Sequence, residues 1–387
     1  MLFAAAACLA LLGAPAFAQG TQGKGADDDA TASLLLDLST GTLLSSTNAT
    51  VSYAPGSTAK LVTAAVAFDA LKDGDIDLAT KFKVSEHAWR TGGAPARVTT
   101  MFAALNSEVS VEDLLKGLIV QSANDAAIVL AEGLAGSEEA FAARMNAFAE
   151  RIGMTQSHFS GPTGHVDASA HTTARDMARL ASYLLERHPD RLPLFSLPDF
   201  TWNGIFQRNK NPLIGAIADL DGFIAGQSAR AGYNAVGTME RKGRRLVGIV
   251  AGQREPDALE KALADLFDSL ERDYEEVVLY GADEVIAEAR VFGGTLSSTA
   301  LESREPVQLL LPRGDKRDYR LRVVYSGPLQ APVAKGQEVG ELRVLRDGTI
   351  VYRAGLHARD AVPAGTVTSR ATDVLRETLF GWWLDGG

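Results

Sequence analysis

The sequence predicts an α/β domain built around a large helical insertion, followed by a small all-β sandwich domain. Two observations lead there. Strand-like apolar runs, Ser33–Leu38 and Leu246–Val250, flank a stretch from about 57 to 190 in which apolar residues recur at helical spacing. From about 285 the pattern changes to short alternating segments, Val291–Gly294, Val307–Leu311, Leu321–Tyr325 and Thr349–Tyr352, separated by Gly, Pro and Asp.

Taken in order, Leu2–Leu12 is apolar and Ala16-Phe17-Ala18 is a small-x-small cleavage site, so 1–18 read as an export signal. The run is too short to span a bilayer, and no Lys or Arg precedes Lys24, so the usual basic start is missing. Cys8, the one cysteine, lies in this leader, and the mature chain therefore has no thiol for a disulfide or a cysteine-bound metal. Residues 19–30, rich in Gly, Gln and Asp, read as a linker. The first domain is expected over 31–280, beginning with a buried strand at Ser33–Leu38 and a turn at Thr40-Gly41, and the β domain over 285–366. In 367–387, Leu375, Leu379, Trp382 and Trp383 share one helical face opposite Arg370, Asp373, Arg376 and Glu377. Aromatic tips suit a membrane interface, so this segment reads as an amphipathic anchor, or alternatively as a helix docked on the protein's own surface.

Chemistry concentrates at Pro55-Gly56-Ser57-Thr58-Ala59-Lys60-Leu61. Pro-Gly marks a turn, and Leu61, Ala64, Ala65, Phe68 and Leu71 then form one helical face. Residues three apart on a helix are neighbours, so the Lys60 amine is within reach of the Ser57 hydroxyl. A serine becomes a nucleophile when a base takes its proton, and a lysine becomes that base when burial or a helix N-terminus lowers its pKa. Farther on, Ser122-Ala123-Asn124 sits between the apolar runs 114–119 and 128–130. Ser122-x-x-Asp125 also fits a capping box, so a purely structural Ser122 competes with a catalytic one.

These motifs, with Ala88–Gly93, Ser110–Leu118, Gln121–Ala127, Gly153–Thr155, His171–Asp176, Phe200–Gly204 and Ala231–Asn234, resemble the S11 serine peptidases, the low-molecular-weight penicillin-binding proteins that act as D-alanyl-D-alanine carboxypeptidases. The resemblance implies a penicillin-recognising fold with a helical subdomain. It also implies Ser57 as nucleophile, Lys60 as general base, Ser122 as proton relay and Asn124 as a substrate-binding amide. It departs at one place. The family's Asp-Gly-x-Lys-Thr-Gly reads Asp221-Gly222-Phe223-Ile224-Ala225-Gly226 here, so Gly226 remains but the cation and hydroxyl that hold the substrate carboxylate are gone. A lost charge-assisted hydrogen bond costs roughly 1.5–3 kcal/mol, about ten- to a hundredfold in rate. Arg230, just after the motif, and Arg245, before Leu246–Val250, are the two candidate replacements, since arginine binds carboxylates through a bidentate fork.

The net charge of −10 and pI near 5.2 exclude an ordinary nucleic-acid-binding protein. The histidines show no ligand spacing, so neither a metal nor any other cofactor is expected. A class A β-lactamase would need a Glu-x-x-Leu-Asn element, which is missing. The expected protein is a periplasmic carboxypeptidase acting on peptidoglycan stem peptides and acylated by β-lactams. It would touch the inner membrane peripherally through the C-terminal helix. The alternative is a relative that binds peptidoglycan or partners without turnover.

Overall fold

The computed structural model describes residues 31–165, 169–314, 319–346 and 348–366. The expected export signal, linker and C-terminal amphipathic segment lie outside the described residues. The described residues start with the hairpin β1 (Ala32–Asp37) and β2 (Thr42–Thr47), whose turn carries Gly41 at φ 67°. Helix α1 (Lys60–Asp73) follows, then β3 (Lys81–Lys83), α2 (Glu86–Thr91) and β4 (Glu108–Ser110). Next come α3 (Val111–Val120), α4 (Asn124–Ala135), α5 (Glu138–Arg151) and α6 (Ala174–Arg187). A hairpin of β5 (Asp199–Trp202) and β6 (Ile205–Arg208) leads into β7 (Leu220–Ser228), β8 (Gly232–Arg241), β9 (Arg244–Gln253) and α7 (Pro256–Asp273).

The central sheet is antiparallel, in the order β2-β1-β9-β8-β7, and is buried on both faces. Alternation along each strand sorts the side chains. Leu34, Val236, Val247 and Ile249 enter the core shared with α1 and α3–α6, while Leu35, Ala235, Leu246 and Val250 enter the core under α7. On the α7 side, a Cβ at Gly248 would meet the Phe267 ring at 2.7 Å, so this glycine sets how closely the helix lies on the sheet.

The sequence places Leu61, Ala64, Ala65, Phe68 and Leu71 on one face of α1, and in the structure every residue from Leu61 to Ala70 is buried. The helix lies between the sheet and the other helices, so small residues such as Ala64, Ala65 and Ala67 serve close packing on all sides.

β10 (Tyr274–Tyr280) follows α7 directly and pairs with β13 (Val307–Pro312), while Tyr274 packs in the core under α7. Between them run β11 (Val285–Phe292) and β12 (Ser298–Glu302). Beyond come β14 (Tyr319–Tyr325), β15 (Leu329–Gln330), β16 (Glu338–Arg346) and β17 (Thr349–Ala358). A six-stranded sheet, ordered β14-β16-β17-β12-β11-β15, packs with the β10–β13 pair around Leu301, Leu309, Leu342 and Leu356. This unit docks at the β2 edge of the central sheet. Tyr274 donates its hydroxyl to the Leu44 carbonyl at 2.5 Å, and Arg244 bridges Asp37 to Glu276. Among the described residues no helix is long and apolar enough to cross a membrane.

Candidate active site

Ser57 lies in a single 3-10 turn, Gly56–Ala59, that runs straight into α1. In a 3-10 turn residues i and i+3 eclipse, so Ser57 and Lys60 stack along one edge, and the Lys60 amide donates to the Ser57 carbonyl. Lys60 is 2% exposed. Its ammonium donates to the Thr163 carbonyl at 2.9 Å, and burial pushes its pKa down to about 7. A lysine near neutrality in this position meets the requirement for a base.

Two segments, the 159–165 loop and β8, hold the turn. The Thr63 hydroxyl donates to the Pro162 carbonyl at 2.8 Å, stapling the 159–165 loop to α1. At Gly164 a Cβ would fall 1.9 Å from the Gly56 carbonyl, so no side chain fits there. Asn234 of β8 is 1% exposed and spans both sides: its amide nitrogen donates to the carbonyls of Ala54 and Pro55 at 3.3 and 3.5 Å, and its oxygen accepts from the Gly252 amide at 2.9 Å. The turn bearing the nucleophile is thereby tied to the middle of the sheet.

The second wall comes from the α3–α4 junction. Ser122 is half-buried with φ 54°, a left-handed conformation uncommon for a serine. The N-cap of α4 is Ala123, with no side-chain cap, so the capping-box reading of Ser122 fails. Asp125 instead reaches back. Its carboxylate accepts from the Thr100 hydroxyl at 2.5 Å and from the amides of Met101 and Ala103 at 2.9 and 3.0 Å, fixing the loop beside Asn124.

The third wall is β7, the free edge of the sheet. Ile224 points into the helical core at 7% exposure, and Ala225 faces the α7 side. Gly226 abuts the nucleophile: a Cβ there would lie 2.9 Å from the Ser57 Cβ. Ser228 accepts from the amides of Arg230 and Ala231 at 3.2 Å each, so its oxygen shapes the turn after β7.

The walls enclose a cleft of about 270 Å³ lined by Ser57, Asn124, Gly164, His165, Gln227, Ser228 and Arg230, among others. Arg230 thus lines this cleft. Arg245 does not. It is absent from the cleft lining, and its guanidinium nitrogen lies 2.8 and 2.6 Å from the two carboxylate oxygens of Asp221, with Glu240 at 3.3 Å. Its strand register places it opposite Glu240 at the far end of β8–β9, where it braces the start of β7. The Thr163 carbonyl, Asn234 and the reach of Asp125 back to 100–103 escape sequence reasoning, because they depend on contacts between distant parts of the chain. Among the described residues, no group of three or more His, Cys, Asp or Glu is placed to hold a metal.

Residues 19–255 match the peptidase S11 family, D-alanyl-D-alanine carboxypeptidase, and residues 274–364 match the C-terminal domain of penicillin-binding protein 5. The chain is 32% identical over 389 residues to D-alanyl-D-alanine carboxypeptidase DacC of Escherichia coli, covering 99% of this chain and 96% of that one. Penicillin-binding protein 5 of Haemophilus influenzae superposes with a TM-score of 0.72 at 30% identity, over 89% of this chain and 99% of that one. Penicillin-binding protein D2 of Listeria monocytogenes, solved in an ampicillin-bound form, gives 0.52 at 28% identity over 61% and 95%. The chain belongs to the S11 family of D-alanyl-D-alanine carboxypeptidases.

Proposed function

We propose that the protein is an exported, serine-type carboxypeptidase that removes the terminal D-alanine from peptidoglycan stem pentapeptides, at a rate reduced by its altered β7 wall. The observation that carries this reading is Lys60, buried beside the nucleophile turn with its pKa lowered to about 7. Neutral Lys60 accepts the Ser57 proton as the Ser57 oxygen attacks the penultimate carbonyl. Collapse of the tetrahedral intermediate expels D-alanine, protonated through Lys60 and Ser122. Water then attacks the acyl-enzyme, giving up its proton to the same pair and freeing Ser57. Asn124 orients the substrate backbone, and Arg230 takes the terminal carboxylate in place of the missing lysine. The same Ser57 opens β-lactams, slowly, because their carboxylate also loses its partner at 224. The export signal supports a periplasmic site, and the apolar face at 367–387 supports peripheral contact with the inner membrane.

Timed D-alanine release from a pentapeptide, with fluorescent penicillin labelling and Ser57→Ala as blank, tests this. Labelling and release that both vanish in the blank support it. A specific observation favours a second reading: Ile224 is a core residue, so the site could bind peptide ends without turnover. Labelling without any D-alanine release would select that reading.

A further inference from the structure

The outer face of the C-terminal sheet carries charge that the cleft does not use. Arg322 on β14, Arg343 on β16 and Arg353 on β17 are direct register partners across three adjacent strands. Neighbouring strands lie about 4.8 Å apart, so the three form a lateral row. Arg320, two residues before Arg322, projects from the same face. The opposite face sends Leu342, Val344 and Tyr352 into the core.

Like charges directly opposite one another destabilise a sheet. Glu341 answers two of the four, pairing with Arg343 and, at 2.9 Å, with Arg353. Glu338 lies farther along, beside Gly355. Arg320 and Arg322 are exposed and, among the described residues, take part in no ion pair. The adjoining Asp315-Lys316-Arg317-Asp318 is neutral by sequence. The positive charge is thus concentrated at the β14–β16–β17 end of the face, on a chain whose net charge is −10; toward β12 and β11 the same face carries Glu302, paired with Arg359, and Glu288.

We propose that this face binds the headgroup layer of an anionic phospholipid membrane. Arginine forks match phosphate oxygens, and an open row on a flat sheet suits a planar array of phosphates better than a single small ligand. The placement suits it as well. The β unit docks at β2, whereas the cleft lies at β7, four strand spacings or about 19 Å across the central sheet. The arginine face and the cleft thus belong to opposite edges of the central sheet. The face also supplies the attraction that 367–387, with two basic and three acidic groups, does not.

The test is vesicle co-sedimentation of the full mature chain on phosphatidylcholine vesicles, with and without phosphatidylglycerol, and on purified peptidoglycan sacculi. Each surface arginine contributes about fivefold, so Arg320→Gln with Arg322→Gln should weaken binding to the anionic vesicles roughly 25-fold. Added salt should weaken the native protein in the same way. The charge-matched control, Arg187→Gln with Arg272→Gln, should bind like the native chain, and D-alanine release should be unchanged in both. Equal losses in the two pairs would assign the effect to overall charge and overturn the proposal. So would no loss in the first pair, equal binding to zwitterionic vesicles, or a loss seen on sacculi alone. Thermal melts of both pairs exclude unfolding as the cause of any loss.

Discussion

The two walls that meet at Ser57 have been built to different standards. On the α1 side the buried polar groups are all held in place: Lys60 donates to the Thr163 carbonyl, and Asn234 ties the turn to the sheet. On the β7 side the backbone is equally well kept, with eight register pairs to β8 and Gly226 against Ser57. Its side chains at 224 and 225 are those of a core. The backbone around Ser57 and Lys60 is therefore kept independently of the side chains at 224 and 225, and the variants below ask whether nucleophile generation and carboxylate recognition separate in the same way.

The largest expected effect breaks the α1 wall. Lys60→Met should lower the acylation rate by penicillin by about 10²–10⁴, the usual worth of a positioned base. In the native protein that rate should climb with pH through about 7, as Lys60 loses its proton. Stability should also depend on pH, with a defined sign. The folded-state pKa is lowered from 10.5, so below about 7 Lys60 is charged in both states and its burial cost is fully felt. Between about 7 and 10.5 the unfolded chain holds a proton that the folded chain has released, and this contribution to stability rises with pH. Lys60→Met should remove that rise. A rate that is flat with pH, together with a loss below tenfold, would show that another group is the base.

Next in size come changes to recognition. If Arg230 holds the substrate carboxylate, Arg230→Ala should lower kcat/KM on a D-Ala-D-Ala peptide ten- to a hundredfold without lowering Tm. Restoring the wall with Ile224→Lys and Ala225→Thr should raise acylation at least tenfold. It should also lower Tm, because position 224 is 7% exposed and lies in the helical core. A double variant that melts lower and gains nothing would mean that the cation at 230 already does the work.

These outcomes depend on parts of the site that were legible in the sequence to different degrees. Ser57 and Lys60 could be read directly, because a three-residue spacing fixes their proximity whether the turn is α or 3-10. Ile224 and Ala225 stood out because a motif was broken. Asn234 could not be placed, since the carbonyls it holds are some 180 residues away in the chain. Arg245 was misjudged for a related reason: sequence brings it near Leu246, but only strand pairing reveals Asp221 as its partner. In α1 the periodicity reports one apolar face and cannot show that the opposite face is covered too.

A smaller effect probes how the α1 wall is held. Asn234→Ala removes the bridge between β8 and the carbonyls of Ala54 and Pro55, leaving buried acceptors unpaired, at about 1–3 kcal/mol. Because the bridge ends two residues before Ser57, kcat should fall while KM for the peptide stays within twofold. A rise in KM alone would place Asn234 in substrate recognition.

The smallest kinetic effect belongs to Arg245, and it separates the brace of the β7 wall from its binding surface. Its guanidinium pairs with Asp221, the residue that opens the altered motif, and both side chains are partly exposed. Partly exposed pairs contribute up to about 1 kcal/mol. For a domain of this size that corresponds to roughly 2–4 °C in Tm. Arg245→Ala should therefore lower Tm by that amount and leave kcat/KM within about twofold, the reverse of Arg230→Ala. Asp221→Asn should reproduce the Tm shift, and combining it with Arg245→Ala should add little, because each change removes the same pair. A tenfold loss of kcat/KM in Arg245→Ala would mean that the brace, lying at the far end of β7, sets the position of the strand beside Ser57.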